Sequence, residues 1–98
     1  MQILAMLYAG ADGLDGLRAF ERQAIPILRE HGGTLVRAFE PEAAGTGDTP
    51  HEIHLLEFPS SEAFAAYRSD PRLAALSELR ERGISRTVVY VSARDVEY

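Results

Sequence analysis

From Ile3 to Ala9 every residue is apolar or aromatic, and the run closes on Gly10, Asp12 and Gly13. A short apolar run bounded by turn formers predicts a buried strand over residues 2–9. The next segment, 14–30, places Leu14, Leu17, Phe20, Ala24, Ile27 and Leu28 at spacings of three and four, which makes one helical stripe. Pro26 removes one backbone donor and is expected to kink this helix without ending it. Gly32 and Gly33, after His31, supply the stop, since glycine takes a left-handed C-cap without steric cost. Residues 34–40 and 51–58 read as two further strands. Between them, 41–50 is rich in Gly, Ala, Thr and Pro and predicts a flexible hairpin connection. Pro59-Ser60-Ser61-Glu62 starts a helix with a serine cap and an early acid, and this helix carries Phe64 and Tyr67. Ser69-Asp70-Pro71 interrupts it. Asp70 caps a second piece with Pro71 in its first turn, and Leu73, Leu76 and Leu79 form its apolar stripe up to Gly83. Residues 86–93 form the last strand.

The order strand, helix, strand, strand, helix pair, strand is the split βαβ arrangement, an α+β ferredoxin-like βαββαβ unit. Its antiparallel sheet has the first and third strands in the centre and helices on one face. Side chains alternate between faces, so parity sorts them. A symmetric hairpin around 41–50 sets Arg37 near His54, and Leu35, Phe39, Leu56 and Phe58 then share their face. Val36, Ala38, Ile53, Leu55 and Glu57 fall on the other. Leu4, Met6, Tyr8, Val88 and Tyr90 sort with the bulky set. Ile3, Ala5, Leu7, Thr87, Val89 and Val91 form an aliphatic set suited to the helices. Both faces are too apolar for open water, so the sheet face without helices calls for a second copy of the chain.

Composition narrows the chemistry. The 98 residues make one domain, 1–98, and a chain this short gains from a dimer interface. Cysteine and lysine are both absent, which excludes disulfides, thiolate chemistry and lysine Schiff bases. The net charge of −5, spread along the chain, argues against nucleic acid. The opening apolar run has no basic flank and is too short to span a membrane, so a cytoplasmic location is the default. No metal or organic cofactor is expected. His51 and His54 point to opposite faces of a strand, and phosphate-loop, nucleophile-elbow and dinucleotide motifs are lacking.

Few side chains remain for a site. His54, between apolar neighbours, can serve as a general base or simply be a buried histidine with a satisfied hydrogen bond. Arg37 can hold a carboxylate or enolate bidentately, or an interface ion pair. Tyr8 and Tyr90 can orient a ligand oxygen or pack at a rim. Glu57 is a possible proton acceptor, with a structural pairing to Arg80 or Arg86 favoured. His31 is read as a helix C-cap and His51 as solvated.

Three segments taken together resemble a known family: His31-Gly-Gly-Thr-Leu-Val-Arg37, Leu56 to Glu62 with Ala65 to Pro71, and Leu76 to Arg80. They are similar to a bacterial family of small domains of unknown function in the dimeric α/β-barrel superfamily. The resemblance spans nearly the whole chain and implies a homodimer with sheets face to face. Relatives in that superfamily include cofactor-independent quinol monooxygenases, polyketide cyclases, lactone isomerases and haem-binding enzymes. The family commonly has Trp where Tyr67 stands and Tyr where Leu73 stands, and Arg80 matches its late helical Arg. The resemblance thus adds Tyr67 and Arg80 as substrate-binding candidates. A haem ligand is not expected, because no histidine falls inside a helix. Three readings stay open: a small-molecule-binding protein or minor enzyme, a cofactor-independent monooxygenase or isomerase/cyclase acting on an aromatic or polyketide-like acid, and a non-catalytic structural dimer. In the second, Arg37 stabilises oxyanion charge and His54 moves a proton.

Overall fold

A computed structural model describes residues 1–45 and 47–98. Thr46, within the predicted 41–50 connection, lies outside the described residues. The elements are β1 (Gln2–Ala9), α1 (Gly13–Glu30), β2 (Thr34–Phe39), β3 (Glu52–Glu57), α2 (Ser61–Arg68), α3 (Pro71–Ala74), α4 (Ser77–Gly83) and β4 (Ile84–Val91). The sheet is antiparallel with order β2-β3-β1-β4, the ferredoxin-like order, with the first and third strands central as the sequence predicts.

Helix α1 runs through Pro26, and Gly32 takes the left-handed backbone (φ 81°) that closes its end. The Ser60 hydroxyl accepts the Ala63 N–H, and the Asp70 carboxylate accepts the Arg72 N–H, so both predicted caps form. Gly83 does more than end a helix. A Cβ there would run into the Gly16 carbonyl, so the pair of glycines lets α4 lie directly on α1.

The sheet faces differ from those a symmetric hairpin would give. A bulge between Leu35 and Arg37 shifts the β2–β3 register, so Arg37 opposes Leu55, and Ala38 opposes His54. On the other edge of β3, His54 opposes Ala5 and Leu56 opposes Ile3. Opposed residues share a face. His54 and Leu56 therefore lie with Ile3, Ala5 and Leu7 under the helices, while Arg37, Phe39, Ile53 and Leu55 lie with Leu4, Met6 and Tyr8 on the open face.

Two apolar clusters hold the helix layer down. One joins Leu7, Leu17, Phe20, Ala24 and Ile84, with Leu73, Leu76 and Leu79 against it. The other joins Ile3, Leu28 and Phe58, with Leu56, Phe64 and Tyr67 against it. Leu17 alone, fully buried, contributes on the order of 1.5–3 kcal/mol of transfer free energy. Between Ile3 and Leu7 stands Ala5, smaller than either, and it leaves room where the two clusters part.

A cavity under the helix layer

The cavity above Ala5 has a volume of about 500 Å³. Its walls come from β1, α1, β3, α2, α3, α4 and β4, and are mostly apolar. Seven polar side chains line it: Glu21 from α1, His54 from β3, Tyr67 and Arg68 from α2, Ser77 and Arg80 from α4, and Thr87 from β4. A smaller recess of about 240 Å³ lies on the β2 side of α1, and Glu21, Ile25 and His54 wall both spaces.

Local sequence places each of these groups. Glu52 and His54 are two apart in β3, so they point to the same side, and His54 Nε2 sits 2.8 Å from Glu52 Oε1. The other carboxylate oxygen accepts from Arg18 Nε at 2.7 Å, and Arg18 Nη2 reaches Glu40 at 3.2 Å. Burial alone would raise the Glu52 carboxyl, but hydrogen bonds from His54 and Arg18 outweigh it and hold the group below its ordinary range. Glu21 is raised, first by burial and further by the charge of Glu52, with His54 and Arg80 opposing. Burial, with Glu21 nearby, pushes the Tyr67 phenol up to about 12. Thr87 Oγ1 is buried and has no hydrogen-bond partner among the described residues. Arg80 makes no ion pair among the described residues.

Of the residues singled out from sequence, His54, Tyr67 and Arg80 meet in this cavity. Arg37, Tyr8 and Tyr90 do not, since they belong to the open face. There the Arg86 guanidinium lies 4.0 Å from the Tyr8 ring centroid and pairs with Asp48 at 2.9 Å. Glu57 is exposed and forms no ion pair among the described residues, so the favoured pairing with Arg80 or Arg86 is replaced by Arg86–Asp48. His31 occupies the C-cap of α1 and also meets Asp70 at 2.8 Å. His51 is exposed, with Nδ1 accepting the Ala9 N–H at 3.0 Å.

Sequence reasoning passed over Glu21, Glu52 and Thr87 as site residues. Glu21 carried a signal: it stands four after Leu17 and seven before Leu28, a charge set within the apolar stripe of α1. Among the described residues, no group of three or more His, Asp or Glu side chains is placed to hold a metal ion, and no helix is long and apolar enough to cross a membrane.

The arrangement can enclose a small apolar body, offer Arg80 to an anion, and present hydroxyl and imidazole groups to its polar atoms. No curated protein matches the chain in sequence. Among solved structures, a protein of unknown function from Rhodopseudomonas palustris superposes with a TM-score of 0.76 at 19% identity, covering 91% of this chain and 77% of that one. A nipsnap family protein with unknown function from Agrobacterium tumefaciens gives 0.69 at 20% identity, covering 91% and 82%. An antibiotic biosynthesis monooxygenase gives 0.62 at 13% identity, covering 95% and 98%. These likenesses establish the ferredoxin-like fold. Residues 11–94 match the family described as domain of unknown function (DUF1330), and the chain belongs to that family.

Proposed function

We propose that this chain binds a small, mostly apolar molecule bearing an acidic group, in the cavity between the sheet and its helices. One observation carries the reading: an apolar space of about 500 Å³ into which Glu21, His54, Tyr67, Arg80 and Thr87 converge. A space of that size and lining is the usual form of a small-molecule site. Arg80, with no ion-pair partner among the described residues, supplies the charge that selects an acid. The scaffold is a homodimer, paired through the open face, where Phe39, Leu55 and Tyr90 stand exposed. Such a pairing buries on the order of 1,600 Å² in total. Arg37 and Tyr8 belong to that interface in this reading. Cofactor-independent enzymology is a second reading, favoured by an imidazole lining the same cavity.

The test is a thermal-shift screen of aryl carboxylic and aryl 2-oxo acids. A ligand that binds the folded state only, at a hundred times its Kd, adds about 2.7 kcal/mol and raises the melting temperature. The expected result is such a rise in the unaltered chain, lost in Arg80→Ala. An unmoved melting curve with every acid contradicts the reading and leaves a structural dimer.

A further inference from the structure

We propose that His54 is the proton acceptor of the cavity, with Glu52 as its positioning residue, and that the ligand is an acid anion with an enolisable C–H beside a carbonyl. The inference rests on the binding reading above and adds the chemistry of the bound molecule.

The hydrogen bonds of the pair fix the direction of the imidazole. Glu52 Oε2 accepts from Arg18, and Oε1 lies 2.8 Å from His54 Nε2. An ionised carboxylate can only accept, so Nε2 must carry the hydrogen. In the neutral ring the lone pair is then on Nδ1. That atom has no hydrogen-bond partner among the described residues, although His54 walls both the large cavity and the smaller recess. A buried imidazole with one nitrogen tied to a carboxylate and the other unengaged has the form of an oriented base. The charged and titratable groups around it are Glu52 on its own strand, Arg18, Glu21 and Arg22 from α1, Tyr67 and Arg68 from α2 and Arg80 from α4. Glu52 offsets the positive charge that the ring gains when it takes a proton. Arg80 offsets the negative charge that the ligand gains when it loses one.

The step balances without an oxidant or a metal. Nδ1 takes the proton from carbon. The C–H electron pair becomes the carbon–carbon π bond of an enolate, and the carbonyl π pair moves to oxygen. Return of the proton to the same carbon, or to another atom of the enolate, completes an exchange or a tautomerisation.

Phenylpyruvate is a suitable probe, since it joins an aryl group, a carboxylate and an acidic CH₂ beside a carbonyl. Proton NMR in D₂O reads loss of its C3 protons above the buffer rate. The unaltered protein is expected to speed this exchange saturably, and His54→Gln to lower it by about 10²-fold or to the buffer rate while the thermal shift with phenylpyruvate remains. Glu52→Gln is expected to lower the maximal exchange rate about tenfold. Its KM should stay near the wild-type value, and the ascending limb of its pH profile should move to lower pH. Should Glu52→Gln fail to fold, nitrogen-15 NMR of the imidazole in the unaltered protein decides the geometry: the Nε2–H tautomer supports the assignment, and the Nδ1–H tautomer overturns it. Exchange that persists unchanged in His54→Gln overturns the proposal. A thermal shift with phenylpyruvate and no exchange above buffer also overturns it, and leaves the binding reading standing. Absence of any thermal shift removes both.

Discussion

On the covered face of the sheet, Ile3 and Leu7 are 2% and 4% exposed, whereas on the open face of neighbouring strands Leu55 and Tyr90 are 37% and 59% exposed. Yet it is the covered face that holds the buried ionisable groups. Glu52 and His54 sit there among aliphatic side chains, each with a partner. The open face keeps its charges at exposed positions, as Arg86 with Asp48, and leaves its apolar centre bare. Burying ionisable groups is costly unless they are paired. Their presence on the face that could have been wholly apolar supports the proposed site, and the bare apolar centre of the other supports the proposed contact surface.

The contrast can be broken first in the core that roofs the cavity. Leu17→Ala removes a fully buried side chain from the cluster of Leu7, Phe20, Ala24 and Ile84, and is expected to cost about 2–5 kcal/mol in a urea melt. On the open face, Leu55→Asp should weaken self-association by roughly 2–4 kcal/mol, turning dimer into monomer by light scattering at micromolar concentration. A variant that stays dimeric would show that the open face is not the interface.

A smaller loss, about 1–3 kcal/mol, is expected for Glu52→Gln at neutral pH, since it weakens the bonds to both Arg18 and His54. This loss depends on pH. The folded-state carboxyl sits below its ordinary range, so the unfolded chain binds more protons there and the contribution grows as pH rises. It is in full force above about pH 5 and fades as pH falls through the carboxylate range. Melting curves of the variant and the unaltered chain should therefore converge on acidification. Asp70 behaves in the same sense, held well below its ordinary range by hydrogen bonds from Arg72 and His31. The smallest effect belongs to Glu57→Ala, exposed and unpaired among the described residues, which should stay within about 0.5 kcal/mol. A larger loss would restore a structural role to Glu57.

The elements were legible because their signals are local. The Gly32 stop, the Asp70 cap and the stripe from Leu17 to Leu28 each depend on neighbours a few residues apart, and each forms where the sequence puts it. The faces were not legible. Pairing Arg37 with His54 required a symmetric hairpin, and one extra residue near Val36 turns Arg37 to the opposite side. Nothing in β1 relates its parity to that of β3, because the two strands meet only through the fold. Hydrophobicity could not arbitrate, since both faces are apolar. His54, Tyr67 and Arg80, singled out in the sequence, line the cavity, while Glu52 was hidden as an ordinary strand-edge acid until its bonds to His54 and Arg18 were seen.

In the proposed reading the ligand enters the covered face and not the open one. Methyl NMR with phenylpyruvate separates them, because Ile3, Leu7 and Leu56 report on the cavity, whereas Leu4, Met6 and Val88 report on the open face. Binding in the cavity gives saturable shifts at Ile3, Leu7 and Leu56, with Leu4, Met6 and Val88 unmoved. Shifts confined to Leu4, Met6 and Val88 would contradict it.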